Sequence, residues 1–335
     1  MRGIGAAAIA GLVLVSAPAW ADDSSAALGA GGLVLTQATD IRMAREDLFI
    51  APHKVKIRFE FVNDSASDIE TIVAFPLPDI DQERFWHEPI GTVTEDPVNF
   101  VGFSVVADGV RVKPEVEQRA FYKGKDVTDT VLKAGAPINI LTQAQFKAMQ
   151  ALKPAQAKIL EDAGLADHED GGDGDSPHWT ARTKFFWKQK FPAGKTVVLE
   201  HSYQPVTGQA FFIADYVKAK PSEDAAFYFK TYCIDSGTKA SIAARFGAKG
   251  GGNPDESKLL ISFTTDYVLT SGNNWKGPIG HFHLTLDKEK ADNIISLCWD
   301  GALKKTGATT FESTLDNFAP KQDIKMLVLT KSPPQ

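Results

Sequence analysis

Hydrophobic and polar residues alternate along "VKIRFEF", placing Val55, Ile57, Phe59 and Phe61 on one face and Lys56, Arg58 and Glu60 on the other. A period of two with one wet face predicts a β-strand whose dry side meets a core. The polar stretch "VNDSASD" predicts a turn, and "IETIVAFPLPD" a second strand ending at Phe75-Pro76-Leu77-Pro78. Proline has no amide hydrogen for a ladder, so these prolines belong at a strand end or a sheet edge. "VGFSVVADGVRVKPEV" predicts a hairpin turning at Asp108-Gly109, a pair that tolerates the positive φ of the primed two-residue turns.

Between about 126 and 165 the period changes. Thr142-Gln143-Ala144-Gln145 has the pattern of a capping box, with Leu141 and Phe146 placed as a hydrophobic staple, which predicts a helix from Gln143. Pro154 at a first helical position and Gly164 at a C-terminal cap bracket a further helix. "DHEDGGDGDSPHW" then lacks any apolar period and predicts a surface loop. Strands resume with "TKFFWKQKF" and "KTVVLEHSYQPV", and beyond Phe211 with "AAFYFKTYC", "LLISFTTDYVLT", "HFHLTLD", "NIISLCW", "TFESTL" and "DIKMLVLT". One short helix is expected there, near Ala240 to Phe246, stopped by Gly247. In this scheme Phe227 and Phe229 share the core face of a strand, and Ser271 to Gly280 close a long hairpin.

The pattern therefore predicts a mainly β protein of two β-sandwich-like domains with a small α-helical insert in the first. The first domain covers 22–208, with its insert at about 126–165 and an acidic loop at 166–178; the second covers 209–335.

The first 21 residues change the picture of where the chain works. Arg2, an apolar run, Pro18 and the triplet Ala19-Trp20-Ala21 form the pattern of a signal peptide cleaved after Ala21. The run is short for a membrane span, and no later segment approaches one, so the expected mature chain is periplasmic or otherwise exported, without a stable membrane span. A net charge of -6 favours neither nucleic acid nor an anionic membrane surface. Cys233 and Cys298 are the two cysteines, and an even count in an oxidising compartment predicts a disulfide, the alternative being two buried thiols. Closing so long a loop would restrict the unfolded chain by roughly 4 kcal/mol.

Candidate chemistry is sparse. His281 and His283 share the wet face of their strand, opposite Phe282, Leu284 and Leu286, but a zinc site needs at least a third protein ligand. His201 falls on the Leu199 and Tyr203 face of its strand, and His168 and His178 lie in the acidic loop. Asp170, Asp173 and Asp175 of that loop could suit calcium, yet the spacing matches neither an EF-hand nor a glycine-rich calcium repeat. Ser236-Gly237-Thr238-Lys239 fits Ser-x-x-Lys without its companion motifs, and "GAKGGG" follows a helix instead of opening one. No catalytic, metal or cofactor-binding residue is predicted. Trp86, Trp179 and Trp275 are either core plugs or a ligand platform, and Asn274, Trp275 and Lys276 form the candidate ligand-contact loop.

Several stretches together resemble one family: "GGLVLTQATDIRMAREDLFI", "FVNDSASDIETIVAFPLPDID", "VKPEVEQRAFYKGKDVT", "TYCID", "YVLTSGNNWKGPIGHFHLTLDK" and "SLCWDG". The resemblance is to the domain of unknown function 4424 family, bacterial exported proteins without an established activity, and it spans the mature chain in order. A second likeness is confined to the N-terminal half. Phe61-x-Asn63, Glu70, Phe75-Pro76-Leu77-Pro78, Phe103, Asp108-Gly109, Ala120 and Tyr122 are similar to the vault/inter-alpha-trypsin domain. That likeness implies a β module used in protein association, although the helical insert is extra. The family resemblance implies mainly architecture and export; β modules without a catalytic constellation lead to the expectation of a non-enzymatic binding or structural module of the cell envelope, whose partner is an envelope protein or a glycan. Two alternatives remain: an envelope hydrolase or metal-dependent enzyme assembled from distant strands, and a carbohydrate-binding protein.

Overall fold

The computed structural model describes residues 23–29, 32–87, 90–91, 94–167, 176–217, 223–246 and 259–331. The expected cleavage point after Ala21, the loop residues His168, Asp170, Asp173 and Asp175, and Gly247 with the glycine run after it lie outside the described residues.

The chain is mainly β and builds three large sheets. The alternation first read at 55–61 becomes Lys54–Asn63, whose Val55, Ile57, Phe59 and Phe61 are buried. This strand lies inside an eight-stranded sheet, between Ile41–Ala51 and Thr196–Tyr203. A seven-stranded sheet places Thr180–Phe191 and Ile69–Pro76 at its centre. Their Phe185, Trp187, Phe191, Val73 and Phe75 enter the same core as the strand at 54–63. The third sheet has five strands, with Leu259–Tyr267 and Ile324–Lys331 paired antiparallel within it.

Local signals map closely onto local structure. Asp108 and Gly109 have φ of 47° and 80°, as a primed hairpin turn requires. The helix Gln143–Gln150 carries its capping box, Thr142 accepting from the Gln145 amide, and Pro154–Asp162 is followed by Gly164 at a φ of 65°. These helices and Thr128–Lys133 bury Val131, Met149 and Leu160 with Trp179 in a satellite core.

Three expectations are corrected. "AAFYFKTYC" holds a helix, Glu223–Thr231, and not a strand. Ala225, Tyr228, Phe229 and Tyr232 recur at helical spacing and face a core, while Phe227 is exposed, so the period of 3.6 prevails over the apparent period of two. The helix expected at 240–246 starts earlier, as Ser236–Phe246. The Asp235 carboxylate accepts from the Thr238 amide at 2.7 Å, which makes the Ser-x-x-Lys match the capped first turn of a helix. Finally, Leu259–Tyr267 and Ile279–Asp287 do not pair with each other. The first belongs to the five-stranded sheet and the second to the eight-stranded one, so Ser271 to Gly280 is a crossover between sheets, begun by the 3-10 turn Thr270–Asn274, and not a hairpin loop.

That crossover is fastened from within. Trp275 is fully buried against Phe61 and Phe191, and its indole N–H donates to the Asp23 carbonyl at 2.6 Å. Strands from both sides of the expected 208/209 division share the large sheet, because Ile279–Asp287 runs parallel beside Ile41–Ala51.

His201 lies at the centre of this core, edge-on to Phe59, Phe75, Phe103 and Trp187. Burial drives its imidazole down to about 3 from the ordinary 6.5. The Asp23 carboxyl lies 3.5 Å from Nε2, yet removal from water is the cause of the downward shift. A depressed histidine pKa contributes stability above the unfolded value of 6.5 and loses it as the pH falls toward 3. Stability should fall by about 1.4 kcal/mol per pH unit through that window, and His201→Phe should flatten the slope in urea titrations; an unchanged slope would mean the ring is already charged. Trp275→Ala should cost about 3–5 kcal/mol, read as a lower urea midpoint.

Candidate functional site

A cleft opens where the strand end at Leu77-Pro78-Asp79 faces the inner strands of the five-stranded sheet, at Gly208, Thr264, Asp266 and Lys325. Two prolines end the strand Ile69–Pro76, and the chain then makes a two-residue bridge, Ile80–Asp81, to Thr180–Phe191. Asp81 caps the following helix, Gln82–His87, accepting from the amides of Glu83 and Arg84. The helix start is tied down again by Gln82, which accepts from the Ile140 amide at 2.7 Å. Arg84 and Phe85 are thereby presented to the cleft.

The opposite wall comes from the second half of the chain. Asp266 and Lys325 are cross-strand partners joined at 2.9 Å. Tyr232 closes the helix Glu223–Thr231, and Phe227 lies exposed on the rim. Burial raises the Tyr232 hydroxyl well above its usual range, helped by nearby Asp266, so it stays protonated. Next to it, Cys233 is joined to Cys298, which pins this wall to the end of Ile294–Leu297. At the floor, Gly208 pairs with Thr264; a Cβ there would come within 2.6 Å of the Thr264 hydroxyl and 3.3 Å of the Arg84 guanidinium.

The cleft measures about 130 Å³, small beside the ~300–1,000 Å³ of pockets for drug-sized ligands. Its carboxylates have structural partners. Asp79 meets Arg182 at 3.0 Å, and burial raises its carboxyl, with the arginine opposing. Aromatic walls with two cationic side chains, Arg84 and Lys325, and several hydroxyl groups can hold a small amphipathic group without reacting with it.

The residues singled out from sequence lie elsewhere. Asn274 donates to the Ser24 hydroxyl at 2.9 Å, Trp275 is interior, and Lys276 reaches Asp64 at 3.0 Å. Trp179 is buried, its N–H on the Ile138 carbonyl, and Trp86 packs on Phe146. His178 sits 3.4 Å from Asp167. His281 contacts Asp316, and His283 lies between Glu312 and Asp47. Among the described residues no three His, Cys, Asp or Glu side chains converge as a metal set, and no helix is long and apolar enough to cross a membrane. Sequence reading missed Arg84, Gly208, Tyr232 and the Asp266–Lys325 pair; the one signal was the proline-rich strand end.

The family model described as Domain of unknown function (DUF4424) matches residues 21–327. No curated protein matches the chain. Among solved structures, a candidate nutrient binding protein of Legionella pneumophila subsp. pneumophila str. Philadelphia 1 is 14% identical, with a TM-score of 0.45 over 92% of this chain and 70% of that one. An M1 zinc metallopeptidase from Deinococcus radiodurans is 7% identical, with a TM-score of 0.28 over 88% and 43% of the two chains. Native yeast LTA4 hydrolase is 8% identical, with a TM-score of 0.29 over 88% and 30%.

The floor of the cleft yields a direct test. Gly208→Ala should destabilise by about 1–3 kcal/mol through overpacking, and adding Thr264→Ala should recover much of the loss, because the two sites share one contact. Thermal melts of the double-mutant cycle check this; strictly additive losses would contradict the packing described.

Proposed function

The chain belongs to the DUF4424 family, and from that premise we propose that it is a non-catalytic binding module of the bacterial cell envelope. Its inter-sheet cleft would receive a small amphipathic group, such as one side chain of a partner protein. The observation that carries this reading is the pairing of aromatic side chains, Phe85, Tyr203 and Tyr232, with the Arg84 guanidinium beside Gly208, in a cleft whose walls are fixed by a cap, a disulfide and a cross-strand ion pair. Preorganised walls lower the ordering cost of binding. The non-catalytic part rests on the carboxylates, each committed to a cap or an ion pair. The envelope part rests on the apolar N-terminal run followed by Ala19-Trp20-Ala21.

A photo-crosslinking residue at Phe227, on the rim, should capture one discrete partner in intact cells, and the same residue at Lys158, on the helical insert, should not. Arg84→Ala should remove the captured band while the protein still melts cooperatively. Equal labelling from both positions, or a band indifferent to Arg84→Ala, would overturn the binding role, and fractionation that leaves the chain in the cytoplasm would overturn the envelope assignment.

A further inference from the structure

A second pocket, outside the inter-sheet cleft, is built around Trp299. We propose that it binds a single pyranose ring of a glycan, stacked on the indole. The inference goes beyond the cleft reading and does not depend on it.

Trp299 is half-buried and held in place. Its Nε1–H donates to the Ser313 hydroxyl at 3.0 Å, and its ring lies 5.8 Å from Phe318 and 5.9 Å from Phe282 between centroids. Gly301 fits against the nitrogen edge of the indole: a Cβ there would fall 2.6 Å from Nε1 and 2.9 Å from the Ser313 hydroxyl. Trp299 itself follows Cys298, whose disulfide to Cys233 anchors the backbone. The Cys298 carbonyl also accepts from the Gln322 amide at 3.2 Å, which draws the far rim to the same point. Before Phe318, Asn317 takes a left-handed φ of 52° at the strand end, a conformation asparagine adopts more readily than other non-glycine residues.

The chemistry of the lining selects the ligand. Trp299, Leu315 and Phe318 make an apolar floor, while Asp300, Lys321 and Gln322 stand on the rim. A pyranose presents the matching surfaces, a C–H face for the aromatic platform and hydroxyls for an acceptor, a donor and an amide. An aliphatic side chain would cover the floor but leave the rim groups partly desolvated without partners. At about 250 Å³, the pocket lies under the ~300–1,000 Å³ of drug-sized sites, a size for one ring and not for a long segment of polymer. Because the platform is already fixed, little side-chain order has to be created on binding.

The test uses the indole N–H resonance of Trp299, assigned by its loss in Trp299→Phe, with cellobiose, chitobiose and N-acetyl-leucinamide as probes. At least one disaccharide should shift this resonance saturably at millimolar concentration, and N-acetyl-leucinamide should not. Asp300→Ala and Lys321→Ala, both exposed, should each weaken the disaccharide by about tenfold, the loss of one charge-assisted hydrogen bond, with melting temperature unchanged. Silence toward both disaccharides, an equal response to N-acetyl-leucinamide, or affinity indifferent to both rim variants would overturn the proposal. None of these outcomes involves Phe227 or Arg84, so failure here is distinguishable from failure of the cleft.

Discussion

The parallel pairing of Ile279–Asp287 with Ile41–Ala51 holds the molecule together as a unit. Parallel neighbours need a long connection, and here it comprises most of the chain. Once the two strands lie side by side, Phe282, Leu284 and Leu286 join Leu48, Ile50 and Phe59 in one core. The strand at 259–267 joins the paired segment through 268–278 and pairs with the strand at 324–331, and Tyr267, Met326 and Val328 fill the same interior. The inter-sheet cleft is a consequence of this arrangement. Its walls belong to opposite halves of the sequence, and Arg84 comes within reach of Gly208 because Gly208 pairs with Ile90, six residues further along the chain.

Charge plays a subordinate part. Along the wet face of the large sheet, Arg45 meets Asp47 and Arg58 meets Glu60, while His283 stands between Asp47 and Glu312. Such exposed pairs contribute little each; the two arginine pairs lie within single strands, while His283 reaches carboxylates on both neighbouring strands. The interior behaves differently. His201 is surrounded by aromatic rings and kept neutral by burial, which makes it a larger lever on stability than the surface ladder.

What could be read from the sequence was whatever short-range physics determines. Alternation at 55–61, the Asp108-Gly109 turn, the Thr142–Gln145 cap and the proline-bounded helix at 154 each depend on residues a few positions apart, and each appears in the structure. "AAFYFKTYC" failed because a brief apolar run satisfies both periods, and only contact with Phe212 and Ile242 selects the helix. The crossover at 271–280 failed for another reason: alternating flanks show that two strands exist but not which strands they pair with. The candidate sites were least legible. Trp275 and Trp299 look alike in sequence, yet one is fully buried with its N–H on Asp23 and the other is only half-buried.

The bond from the Trp275 indole to the Asp23 carbonyl spans 252 positions, and this has a bearing on assembly. During synthesis the segment at 23–29 emerges first, long before its fastening at Trp275 exists. A chain with such non-local closures folds slowly and exposes apolar strand edges meanwhile. The earliest strand can pair at once with its neighbour at 32–36, but its start is closed over only when the chain has grown past Trp275.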